Sequence, residues 1–86
     1  MGLTDHERTT LLEAVQIIAD HAYDTFLEGK QHGYTCASLR AICDKPDNMK
    51  HAAAHLKAHM DGRTDEAHLE HCLTRCGMEL IRLYHL

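Results

Sequence analysis

MKHAAAHLKAHMDGRTDEAHLEHCLTRC, residues 49–76, reads as two helices joined by a short turn, and that reading decides the fold. Met49, Ala52, Ala53, Leu56 and Met60 recur at spacings of three and four, the interval at which side chains return to one face of an α-helix. Gly62 ends this helix, since glycine takes the left-handed conformation that closes a C-terminus. Thr64 or Asp65 supplies the cap for a following helix over residues 65–85, with Leu69, Leu73, Cys76, Leu80, Leu83 and Tyr84 inward. Two helices so closely connected lie antiparallel.

Upstream, KPDN (45–48) separates the helix over 48–60 from an earlier one, because Pro46 is tolerated only in a first helical turn. TCASLRAICD (35–44) predicts a short helix over 36–44, capped by Thr35, with Cys36, Leu39, Ile42 and Cys43 on one side. Thr4-Asp5-His6-Glu7 is a capping box and starts a long helix over 5–29. Its stripe is Leu11, Val15, Ile18, Ala22 and Phe26, widened by Leu12, Ala19 and Tyr23, and Gly29 and Gly33 end it. No strand alternation competes. The expectation is a single all-α domain over 1–86, a compact antiparallel bundle of four helices, one of them short.

An 86-residue chain with no Trp and one Phe has a lean core. Such a core supplies on the order of 3–5 kcal/mol of net stability, and self-association is a common remedy. A formal charge of −4 argues against general nucleic-acid binding, which needs a basic face. It leaves room for a protein partner or a small anionic ligand. Nine histidines would carry that charge to +5 if all were protonated. The N-terminus has no signal-like segment and no apolar run is long enough for a membrane, so the four cysteines are expected reduced and the chain cytoplasmic.

Three sets of residues are candidates for chemistry. His68 and Cys72 lie one turn apart, and an antiparallel hairpin brings His59 and His55 opposite them. His55, His59, His68 and Cys72 could thus hold zinc. On a helical wheel, however, His51, His55 and His71 point away from the apolar stripes while Cys76 falls within one. The leading expectation is therefore core cysteines, solvent-facing histidines and no bound cofactor. Asp20, Asp24 and Glu28 share one side of the first helix and are the alternative set, for Mg²⁺. Ile17, with Ala14 and beside His21, interrupts that polar side and marks a possible contact between chains. No activated nucleophile or phosphate-cradling glycine loop is present.

His55, Leu56, Gly62, Asp65, His68, Leu69 and His71, with FLEGKQHGY upstream (26–34), resemble an element of phage dATP/dGTP diphosphohydrolase-like proteins. These are relatives of the MazG-like all-α pyrophosphohydrolases. The resemblance covers about half the chain and lacks the family's Trp-containing element. It implies a helical fold and a phage or mobile-element setting, and carries over no catalytic centre. The leading reading is a small accessory or inhibitor protein that binds a protein or small ligand as a homo-oligomer. The alternatives are a metal-dependent dNTP pyrophosphohydrolase and a His/Cys metal-binding bundle.

Overall fold

Thr4 Oγ1 accepts from the Glu7 backbone N–H at 3.1 Å, and Glu7 Oε1 accepts from the Thr4 N–H at 3.0 Å, closing the capping box. It starts α1 (Asp5–Gln31) in a computed structural model that describes residues 2–86. Gly29 does not end α1. It lies inside the helix, where its missing Cβ admits the Tyr34 ring, and the chain turns instead at Gly33, φ +96°. Ser38, not Thr35, caps the short α2 (Leu39–Cys43), accepting from the Ala41 N–H at 3.0 Å.

α3 (Asn48–Met60) and α4 (His68–His85) form the expected antiparallel hairpin, with a turn at Gly62 in the left-handed region (φ +78°). α4 begins later than the sequence suggests. The Asp65 carboxylate accepts from Arg63 and faces His68 rather than capping the helix. The described residues form an all-α bundle of four helices, one short, and none of these helices is long and apolar enough to cross a membrane.

The hairpin seam is small and polar. Asn48, Ala52 and Ala58 of α3 and His68, Thr74 and Met78 of α4 are its buried residues. Alanine lets the two backbones approach, and every buried side-chain N or O among the described residues has a hydrogen-bond partner.

This corrects the predicted inward faces. Met49, Leu56 and Met60 of α3 are exposed, as are Leu69, Leu73, Cys76, Leu80, Leu83 and Tyr84 of α4, Met60 and Tyr84 to 77% and 74%. On α1, Leu11, Val15 and Ile18 are exposed, and only Ala22, Thr25, Phe26 and Gly29 are half-buried, where the C-terminal part meets the hairpin. Cys36 is likewise exposed, whereas Cys43 is buried. The physical reason differs between the hairpin and α1. On α3 and α4 the packing uses a face beside the stripe, from which only Ala52 is buried, whereas α1 packs by the C-terminal end of its own stripe, Ala22 and Phe26, and leaves the rest uncovered.

Candidate functional site

The seam closes near Gly62 on three histidines from two helices. His55 of α3 sits among them, its Nδ1 2.9 Å from Nδ1 of His68. The His55 ring also stands edge-on to that of His71, with centroids 4.8 Å apart. His68 and His71 are one helical turn apart, so both reach the same face of α3.

Carboxylates surround this trio. His68 Nε2 lies 2.9 Å from Asp65 Oδ1. A carboxylate only accepts, so Nε2–H donates and the Nδ1 lone pair of a neutral imidazole faces His55. Arg63 Nη2 donates to the other Asp65 oxygen at 2.8 Å, and the bonds from His68 and Arg63 hold the Asp65 carboxyl at about 2. His71 Nδ1 lies 3.1 Å from Glu66 Oε1, while its Nε2 reaches Glu28 Oε2 on α1 at 3.3 Å. Burial, followed by repulsion from His71, lowers the pKa of His55; Glu66 opposes this, and His68 and Arg75 add smaller repulsions. One donor atom each from His55, Glu66 and His68 falls within 4.8 Å of the others.

Beside the cluster opens a cleft of about 660 Å³ between α1, α2 and α4. His55, Glu66 and His71 line one end, Phe26 contributes an apolar wall, and Lys45 and Arg75 are its cations.

Of the zinc set read from sequence, His55 and His68 come together. His59 is exposed, and Cys72 is half-buried outside the cluster with its thiol pKa raised by burial and then by Cys76. The expected solvent orientation of His55 and His71 is overturned, since the His71 side chain is 15% exposed and packs on His55. His51 is exposed, as expected. Glu66 is the member that the sequence reading did not single out, while Glu28 was read as part of the Mg²⁺ set, Asp65 as a helix cap and His71 as solvent-facing. The signal for the cluster was present in the i, i+3 pair His68 and His71 immediately after two carboxylates. The Mg²⁺ set is not gathered: Asp20 accepts from Gln16 at 2.8 Å, Asp24 is exposed, and Glu28 turns to His71. Ala14, Ile17 and His21 lie exposed on α1.

Acid should destabilise the chain in two steps. His55 has a folded pKa below its ordinary 6.5, so its contribution is complete above that value and declines as pH falls through the depressed one. Asp65, lowered from 3.8 to about 2, contributes fully above 3.8 and loses its share on the way down to about 2. Thermal melts across this range should show an early decline that His55→Gln removes and a late one that Asp65→Asn reduces, the rest coming from Glu7, held low by Thr4, and Glu79, held low by Arg82. A midpoint unchanged in the wild type between pH 7 and the acid limb would contradict the first step.

No protein-family model, curated protein or solved structure matches the chain.

Proposed function

We propose that the chain is a small helical binding module whose working form is a homodimer, made by two α3–α4 hairpins packing apolar face to apolar face. The observation that carries this reading is the uncovered apolar surface. Leu69, Leu73, Cys76, Leu80 and Leu83 follow one another at alternating steps of four and three, as do Met49, Ala53, Leu56 and Met60. That is the spacing of a helix-packing seam. Helix geometry, with Asn48, His55, His68 and Arg75 turned into the hairpin, puts both stripes on the side away from α1.

The areas agree. The accessible surface is 6661 Å², whereas a folded monomer of 9.8 kDa exposes about 5,200 Å². The surplus of roughly 1,500 Å², to which the exposed residues 5–21 of α1 also contribute, exceeds the about 800 Å² per partner of a standard stable interface. The radius of gyration of 14.8 Å, against about 12 Å for a compact domain of this length, points the same way. A second copy is the occupant best matched to such a face, because a two-fold contact pairs each stripe with its own complement. The cleft lies on the opposite side of the hairpin, and with Lys45 and Arg75 balanced by Glu28 and Glu66 in its wall it suits a small polar ligand bearing both kinds of charge.

Sedimentation equilibrium of the untagged protein should give twice the 9.8 kDa chain mass. A single-chain mass at every concentration would remove the dimer and, with it, this reading.

A further inference from the structure

We propose that His55, His68 and Glu66 form a binding site for a borderline divalent cation of the zinc type, assembled within each chain where α3 and α4 meet.

The donor set fits that class. Two imidazole nitrogens and a carboxylate oxygen suit zinc, whereas magnesium and calcium favour all-oxygen shells. The spacing fits as well. Ligands bound at about 2.0–2.2 Å around a tetrahedral ion lie about 3.3 Å from one another. The two Nδ1 atoms are already 2.9 Å apart, and the Glu66 oxygen is among the three donors that lie within 4.8 Å. Glu66 is exposed on the turn before α4, so its side chain can swing to close the remaining gap.

The surroundings are also those of a ligand shell. Asp65 takes the Nε2–H of His68 and thereby aims the Nδ1 lone pair at the site, the orienting role that carboxylates play behind metal-bound histidines. His71 holds Glu66 on one ring nitrogen and is tied to Glu28 of α1 on the other. A hydrogen bond between His55 and His68 would account for that one contact. That bond also agrees with the tautomer Asp65 sets, and His71 places Glu66; what points to an ion is that the three donor atoms lie within reach of one centre. His55 and Glu66 also line the cleft, so the fourth position of the ion opens onto it, for water or for a donor atom of a bound ligand.

The test is titration of untagged, chelator-stripped protein with Zn²⁺ by calorimetry, and with Co²⁺ by the visible absorption of a tetrahedral site. One ion per chain is expected. Asp65→Asn should weaken affinity by about 10–100-fold, the usual effect of losing an orienting partner, and Glu66→Gln by more. Cys72→Ser should leave affinity unchanged, since the thiol lies outside the cluster. Substituting the buried His68 could unfold the chain, so the exposed Glu66 is the diagnostic position, with helicity followed by circular dichroism. Absence of saturable binding, wild-type affinity in Glu66→Gln, or loss of binding in Cys72→Ser would each overturn the proposal. The site lies within one chain, so a variant unable to dimerise should bind the ion equally well. That separates this inference from the dimer.

Discussion

Leu80→Asp should convert the dimer into a chain that sediments as a monomer, with its dissociation constant raised about a thousandfold or more. Leu80 stands in the middle of the α4 stripe and is 58% exposed in the single chain. An aspartate there remains in water while the chain is alone, so helicity should be retained. In the dimer the same carboxylate enters an apolar face with no cation provided for it. An uncompensated buried charge costs about 4 kcal/mol, so one of the two that a symmetric dimer would bury already gives the thousandfold weakening, and the second adds to it. Ile17→Asp is the comparison. It alters the α1 position that the sequence marks as a contact between chains, close to the middle of a helix whose residues 5–21 are all exposed. If Ile17→Asp dissociates the assembly and Leu80→Asp does not, the interface is on α1 and the hairpin face is wrong. Measuring both variants by sedimentation at matched concentrations decides between the two surfaces.

The helices themselves were legible because their signals are local. The capping box at Thr4 and Glu7, the break at Pro46 and the turn at Gly62 each act within a few residues, and α3 runs over the span its periodicity predicts. Which face a helix turns toward its neighbours is not local. The stripes of α3 and α4 are apolar enough to be read as inward, yet Ala52 and Ala58 permit a closer approach on a neighbouring face. Every wheel argument centred on the leucines therefore carried the same angular error. It sent His55 and His71 into solvent and Cys76 into the core, when the histidines meet in the seam and Cys76 is exposed. The hairpin survived because it rests on the turn at Gly62 rather than on the wheel, but its register moved by one helical turn: His59 was expected opposite His68 and His55 opposite Cys72, and it is His55 that meets His68. Glu66 escaped notice for a different reason: it belongs to the turn, where no periodicity says where a side chain points.

Asn48 is where loss of a single side chain should harm the fold most. It is 1% exposed at the junction of α2, α3 and α4. Its Nδ2 donates to the Cys43 carbonyl at 2.9 Å, and its Oδ1 accepts from Arg75 Nη1 at 3.2 Å. Asn48→Ala removes both bonds, leaving the Cys43 carbonyl with the Lys45 N–H alone and an Arg75 guanidinium N–H without its partner. A neutral bond contributes about 1 kcal/mol and one to a charged donor about 1.5–3, so the expected loss is about 3 kcal/mol. That is comparable to the whole net stability of on the order of 3–5 kcal/mol that so small a core supplies. Asn48→Asp isolates the Cys43 contact. It strengthens the bond from Arg75 by adding charge, but it replaces the amide donor with an oxygen facing the Cys43 carbonyl, and two acceptors at that distance repel. If the amide bond to Cys43 is what fastens α2 to the hairpin, the aspartate variant should be destabilised despite its better partner in Arg75. Urea denaturation followed by circular dichroism at one fixed chain concentration tests this, the concentration held constant because dimerisation adds to apparent stability. A midpoint for Asn48→Asp at or above the wild-type value would mean that Arg75 alone anchors Asn48 and that α2 is fastened in another way.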